Sequence, residues 1–292
     1  IATIANNYYT LLTLDEKLDI SRRTLQNWED NLRVLDVLKR AGRVNQTSVL
    51  QSKANKIALE TSIVTIEEQI ALLESSLSTL LATPSATIKR DSINDVNFPS
   101  EISVGVPMQL LSNRPDVRVA EYYLAQMFYA TNEARSGLYP SITLSGSAGF
   151  TNNSSSIINP GEMLYSAIGS FVQPLFYRGT LRAQLKISEA QQEQALLAFQ
   201  QSLLDAGNEV NAALISWQSA KRRIDHNNLQ LEVLQKAVRT AELLMRSGEY
   251  SYLEVITAQL SLLQTELSAT EDRFGEIQGV IDLYRALGGG EV

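Results

Sequence analysis

Tyr139-Pro-Ser-Ile-Thr-Leu-Ser-Gly-Ser-Ala-Gly-Phe150 alternates strictly: Ile142, Leu144, Ala148 and Phe150 fall on one side, Ser141, Thr143, Ser145 and Ser147 on the other. A period of two is that of a strand with one apolar face. A polar loop follows, with Asn152-Asn153-Ser154-Ser155-Ser156 and then Pro160-Gly161, before a second run, Met163 to Phe176, rich in Tyr, Phe, Ile and Val. Gln173-Pro174 breaks the alternation of that second run, and the two together read as a β-hairpin with a long polar loop. Strands of about ten residues with small polar side chains opposite apolar ones suit a transmembrane β-barrel, where lipid meets one face and a water-filled lumen the other. Only a closed barrel lets strands enter a bilayer without unpaired backbone groups, so one hairpin needs strands from other chains. The competing reading is a soluble hairpin that caps a helical bundle.

On either side of the hairpin the grammar changes to long helices, and the chain repeats itself. Residues 8 to 84 superpose without a gap on residues 214 to 290, at an offset of 206 that carries Gly42 onto Gly248. Arg40, Gly42, Arg246 and Gly248 make the same Arg-x-Gly in both copies, each between two heptad-patterned segments, so each copy reads as helix, Gly turn, helix. In the last segment Ile256, Leu260, Leu263, Leu267, Thr270, Phe274, Ile277, Ile281 and Tyr284 recur in alternating steps of four and three. That spacing predicts one coiled-coil seam. Leu59, Ile63, Ile66, Ile70, Leu73, Leu77 and Leu80 give a second seam; Leu11, Leu14, Leu18, Leu25, Trp28, Leu32 and Leu35 a third, interrupted by Ser21. From about Leu181 to Ser247 there is no Pro and a single Gly207, which permits one helix of roughly 65 residues, about 100 Å long at 1.5 Å per residue. Taken alone, these seams also fit a structural or tethering coiled-coil protein.

Composition narrows the chemistry. The chain is 44 % hydrophobic, 20 % charged and 7 % aromatic, with one His and no Cys. A Cys-based metal site, a disulfide and a thiol nucleophile are excluded, and no catalytic or metal-binding set is expected. A formal net charge of −7 argues against a nucleic-acid surface. No apolar run approaches the roughly 20 residues of a membrane-spanning helix. Glu67-Glu68 diverge on a helix, and His226, Trp28 and Trp217 read as surface and packing residues.

Four motifs in order resemble the outer membrane efflux proteins, the TolC-like outer membrane factors, within their lipoprotein branch. They are Leu111-Ser-Asn-Arg-Pro-Asp-Val-Arg-Val-Ala-Glu121, Ala134-Arg-Ser-Gly-Leu-Tyr-Pro-Ser-Ile-Thr-Leu144, Gln173-Pro-Leu-Phe-Tyr-Arg-Gly-Thr-Leu-Arg-Ala183 and Gly248-Glu-Tyr-Ser-Tyr-Leu-Glu-Val-Ile-Thr-Ala-Gln259. The resemblance implies a mainly α fold with a small β part, internally duplicated. Long antiparallel coiled-coil helices form a periplasmic α-barrel, and the β-hairpin joins a shared transmembrane β-barrel. The expected organisation is a first-repeat helical hairpin over 1–84, a linker or equatorial segment over 85–113, a helix to the barrel over 114–138, the transmembrane hairpin over 139–178, and the second-repeat long helix and hairpin over 179–290. Under the 206 offset the counterpart of 139–178 falls before residue 1, so the expectation is an amino-terminally shortened chain that lacks the first hairpin and the family's lipid-bearing Cys.

The resemblance also implies a homotrimer in the outer membrane of a Gram-negative bacterium, extending into the periplasm, with a periplasmic adaptor (membrane fusion) protein, an inner-membrane pump and outer-membrane lipid as partners, and no cofactor. Such a protein is a passive duct within a tripartite efflux pump. Gly42, Val44, Gly248 and Tyr250 would then form the adaptor-contacting turns. Glu254, with Thr257 where many members carry Asp, would lie at the periplasmic gate, and Ile142, Leu144, Ala148 and Phe150 would face lipid. Drug, metal and other cargoes share such ducts, so the exported compound stays open.

Overall fold

The structure, a computed structural model, describes residues 2–84, 88–93, 114–150, 163–173, 177–247 and 252–289. They form five helices, α1 (Ala2–Arg40), α2 (Gln46–Leu80), α3 (Pro115–Ser136), α4 (Thr180–Ser247) and α5 (Tyr252–Ala286), and two strands, β1 (Ser141–Phe150) and β2 (Met163–Val172). The chain divides into two compact units, one of Ile1–Leu110 with Gly207–Val292, the other Leu111–Ala206.

In the first unit the duplication is visible residue by residue. Helices α2 and α5 are each 35 residues long, and the offset of 206 carries both ends of one onto both ends of the other. Their C-terminal turns coincide as well. The amides of Leu81, Ala82 and Thr83 donate to the carbonyls of Leu77, Thr79 and Ser78, and those of Leu287, Gly288 and Gly289 to Leu283, Arg285 and Tyr284. Each is a Schellman-type closure that satisfies the last carbonyls of a helix through a residue in the left-handed region. Gly288 fills that position at φ 79° in one copy, but Ala82 occupies it at φ 51° in the other. A Cβ there is strained. Ala82→Gly is therefore expected to stabilise this turn by about 0.5–1 kcal/mol, seen as slower hydrogen exchange of the Thr83 amide.

Helix α1 ends in the same way: Arg43 N–H donates to Leu38 O and Gly42 N–H to Lys39 O, with Gly42 at φ 72°. Lys39 and Arg40 place positive charge on that C-terminal end. The chain re-enters a helix at Asn45, whose side chain accepts from the Ser48 amide at 2.9 Å. Helix α1 then packs along both α2 and α5. Ile20, Trp28, Leu32 and Leu35 of α1 meet Val49, Leu59 and Ile63 of α2 and Tyr252, Val255, Ile256 and Leu263 of α5 in one core. Leu11 and Leu14 meet Ile66, Ile70 and Leu77 in a second. The seam through α1 is not broken at Ser21, which is fully buried. The α2 and α5 seams need correction at their edges, since Leu80, Leu260 and Tyr284 are exposed. Helix α5 buries Thr265, Glu276, Gly279 and Leu283 besides its heptad positions, because it packs on α1 along one flank and on α4 along the other. Arg223 and Asn227 of α4 both donate to the Asp272 carboxylate, at 2.5 and 2.8 Å.

In the second unit the Arg-Pro-Asp motif builds the start of α3. Pro115 opens the helix, and Asp116 sits in its first turn, where a carboxylate suits the dipole. Arg114, only 7 % exposed, is held at both carboxylate oxygens, Nε to Oδ1 at 3.0 Å and Nη2 to Oδ2 at 2.6 Å. Those bonds from Arg114 hold the Asp116 carboxyl below its usual range. At the far end Thr131 Oγ1 donates to Ser188 O at 3.1 Å, tying α3 to α4. Before α4, Arg178 and Gly179 both take positive φ while the Thr180 amide donates to Tyr177 O, a tight turn out of the Tyr-Arg-Gly-Thr motif. Helix α4 runs unbroken for 68 residues, as the Pro-free stretch predicts.

Candidate functional site

Two places in the fold carry the functional expectations. The first is the hairpin. Strands β1 and β2 pair antiparallel, and their register sets Ile142 opposite Phe171, Leu144 opposite Gly169, Gly146 opposite Ala167, Ala148 opposite Tyr165 and Phe150 opposite Met163. Every residue of that face is apolar or aromatic. The other face pairs Thr143 with Ser170 and Ser147 with Ser166, whose hydroxyls lie 2.7 Å apart. Successive side chains of a strand point to opposite faces, so the hydroxyl pair and the Leu144 face are on opposite sides of the ribbon. Leu144 is 83 % exposed, and Ile142, Tyr165 and Phe171 are exposed with it. An apolar face of this extent left open to solvent marks a surface that another apolar phase or chain covers. Ala148 shares that face and is also exposed. At the hairpin's base Gln173 Nε2 donates to Leu138 O at 3.1 Å, which anchors the end of β2 to the exit of α3. Sequence alternation finds the faces of β1 but not those of β2, whose second face mixes Ser with Ile and Val and becomes legible only through the register.

The second place is the tip of the helical unit. Gly42 is exposed, and beyond itself and its two chain neighbours no atom lies within 4 Å of where its Cβ would be. Its backbone conformation, not crowding, is what calls for glycine. Val44 is half-buried and packs on the core formed by Ile20, Val49 and Tyr252, so its side chain serves the turn's interior. Gly248 and Tyr250 lie outside the described residues. Glu254 sits in the first turn of α5 and is exposed; Thr257, one turn on, is exposed as well and donates to Leu253 O at 2.8 Å. Both are on the flank opposite Val255, Ile256 and Gln259, which are buried. Glu254 and Thr257, the residues expected at the gate, thus share one solvent-facing stripe of α5.

Sequence reasoning missed Tyr252. Its hydroxyl is 3.0 Å from Ser52 Oγ in a buried bond between α5 and α2, and burial pushes its phenol above the usual range. Position 252 corresponds to Gln46 under the offset and Ser52 to Ala258, so the repeat has no second copy of the bond. Further ties join α1 to α5 along their length: Lys17 Nζ to Glu271 Oε1 at 2.6 Å and Arg23 to Glu266 at 3.7 Å. Burial raises the Glu266 carboxyl above its ordinary value, opposed by Arg23. Between α4 and α5, Gln259 Nε2 donates to Glu242 at 3.0 Å. Among the described residues no cluster of three or more His, Asp or Glu could hold a metal ion, and no helix is long and apolar enough to cross a membrane.

The hairpin and the long helices of a duplicated sequence place the chain in a class of mainly helical proteins with a small antiparallel sheet. Residues 106–289 match the model of the outer membrane efflux protein family, and the chain belongs to it. The pyoverdine export outer membrane protein OpmQ of Pseudomonas putida is 30 % identical over 291 residues, 99 % of this chain and 61 % of that protein. The cation efflux system protein CusC of Escherichia coli is 29 % identical over 99 % of this chain and 64 % of its own length. A crystal structure of CusC superposes with a TM-score of 0.88 at 26 % identity, covering 99 % of this chain and 68 % of that one. The outer-membrane channel OprN does so with a TM-score of 0.88 at 25 % identity, covering 99 % and 66 %. The chain spans under two thirds of the length of OpmQ and CusC.

Proposed function

We propose that this chain forms part of a passive duct that carries solutes across the periplasm and the outer membrane in a tripartite efflux system. Three copies share one β-barrel, with Ile142, Leu144, Ala148 and Phe150 against lipid and the hydroxyl face lining the lumen. The helical hairpins continue the duct through the periplasm. The turns at Gly42 and at Gly248 with Tyr250 meet a periplasmic adaptor, and an inner-membrane pump supplies the energy. Within this scheme no residue needs to do chemistry, because a conduit requires a polar lumen, an apolar rim and a gate. The observation that supports the reading best is the segregation of the hairpin's two faces by register, in a chain whose relatives are named for outer-membrane export and for cation efflux.

The gate follows from symmetry. Glu254 on the open stripe of α5 would appear three times around a threefold axis, and three carboxylates in a narrow aqueous throat attract cations. Thr257 offers a hydroxyl in place of a second acidic ring. The full-length protein reconstituted in planar bilayers is expected to conduct and to be blocked by a trivalent cation. Glu254→Ala should weaken that block about tenfold or more, the loss of at least ~1.4 kcal/mol of attraction. An unchanged block removes Glu254 from the gate, and a protein that never conducts removes the duct.

Tyr252 supports the same region from behind. Tyr252→Phe deletes the bond to Ser52 and leaves a buried hydroxyl unpartnered, a cost of about 1–2 kcal/mol. Faster amide exchange over the first turns of α5, with α3 unaffected, is the expected outcome.

The tethering alternative, a coiled coil with a soluble hairpin, has no use for the open apolar face of β1 and β2. Leu144 at 83 % exposure is the residue it leaves unexplained.

A further inference from the structure

The register assigns side chains of β2 to the hydroxyl face that alternation along β1 does not reveal. Ile168 stands opposite Ser145 and Val172 opposite Ser141. They are 64 % and 57 % exposed, so nothing in the described chain covers them. Four residues apart on one strand, they lie about 13 Å apart along it. The Thr143–Ser170 pair falls between them, and the Ser147–Ser166 pair beyond Ile168. No Asp, Glu, Lys, Arg or His occurs in either strand. The hydroxyls are also partly engaged. Ser147 and Ser166 bond each other, and Ser141 Oγ donates to Val172 O at 3.3 Å. This wall has hydroxyl tiers that keep it wet, aliphatic tiers between them, and no fixed charge.

We infer that Ile168 and Val172 form an aliphatic band on the lumen wall that adsorbs uncharged apolar organic molecules in transit and gives metal cations no ligand. The inference rests on the duct reading and deepens it by naming the class of cargo this hairpin suits. An apolar solute leaving water for Ile168 gains free energy in proportion to the apolar area it covers. A divalent cation at the same height meets hydroxyls and methyl groups, without the carboxylate or imidazole that holds such ions. By the same register Phe150, Tyr165 and Phe171 fall on the other face, and Leu164, opposite Gly149, joins Ile168 and Val172 on this one.

The experiment uses the full-length trimer in proteoliposomes, on a background without other reactive thiols. Ser145→Cys places a reporter directly across from Ile168, and a membrane-impermeant sulfonated methanethiosulfonate modifies it from the water-filled lumen. The neutral probe 1-hexanol, kept below bilayer saturation, is expected to slow that modification about threefold or more by covering the neighbouring apolar surface. Adding Ile168→Ser to the reporter should abolish the protection, and Mg²⁺, an oxygen-seeking cation that does not bind the reporter thiolate, should not protect either form. Equal slowing by 1-hexanol with and without Ile168, or protection by Mg²⁺, overturns the aliphatic band. Leu144→Cys is the control for the underlying reading: it should stay unmodified. If Leu144→Cys reacts as fast as Ser145→Cys, the hairpin does not divide lipid from lumen and the duct reading falls with the inference.

Discussion

Leu144→Arg is expected to cost about 2–4 kcal/mol and to abolish recovery of the protein as a trimer from outer-membrane fractions, the penalty of a cation near the bilayer midplane. The position is suited to the test because it is central in β1 and pairs with Gly169, so the guanidinium gains no cross-strand partner. At 83 % exposure the same change in a soluble hairpin would cost little, since exposed surface substitutions stay within about 0.5 kcal/mol. Ser145→Arg, one residue along, provides the contrast. It adds the same charge to the opposite face, where water in the lumen solvates it, and should leave trimer yield near that of the parent. A pair of variants that behave alike, both tolerated or both lost, contradicts the assignment of the two faces.

How far the sequence discloses this fold depends on the range of the interaction concerned. Helix lengths and turns follow from local rules. Arg-x-Gly marks the reversal at Gly42, the absence of Pro from Leu181 to Ser247 leaves α4 uninterrupted, and the offset of 206 places α5 from α2 at both ends. The apolar face of β1 is likewise local. What the heptads cannot disclose is how many neighbours a helix has. One seam is expected along α5, but its flank carrying Thr265, Glu276, Gly279 and Leu283 is buried too, because two other helices pack on it. Ser21 looks polar enough to interrupt a seam, although a side chain that small fits inside one. The face of Ile168 depends on cross-strand register across a loop, and the Ser52–Tyr252 bond joins residues 200 apart in the chain. Glu254 and Thr257 are legible as one stripe by their spacing of three. The solvent-facing side of that stripe is set by Val255, Ile256 and Gln259, which find their places only when α1 and α4 are present.

The close contact between α4 and α5 makes the sharpest stability prediction. A glycine inside a helix reads from sequence as a small liability, yet Gly279 is buried where α5 crosses α4. A Cβ at Gly279 would lie 2.8 Å from the Cβ of Trp217, 3.0 Å from its Cα and 3.1 Å from its N. Two of those three atoms are backbone, so no rotamer change relieves them and the helices must separate. Under the repeat, Trp217 and Gly279 correspond to Leu11 and Leu73, which share the smaller core between α1 and α2. One copy has two medium side chains at this pair, the other one large residue against none. Gly279→Ala is therefore expected to destabilise the helical unit by about 1–3 kcal/mol despite the better helix propensity of Ala. Trp217→Ala should cost about 3–5 kcal/mol as a buried aromatic removed from a packed site. The double variant separates the two explanations. With the clash against backbone, Trp217→Ala does not rescue Gly279→Ala, and the coupling measured from denaturation midpoints stays small, within about 0.5 kcal/mol. A coupling that restores more than 1 kcal/mol would place the clash on the indole instead. The close approach at Gly279 would then be a matter of side-chain fit, leaving the backbone spacing of α4 and α5 free of it.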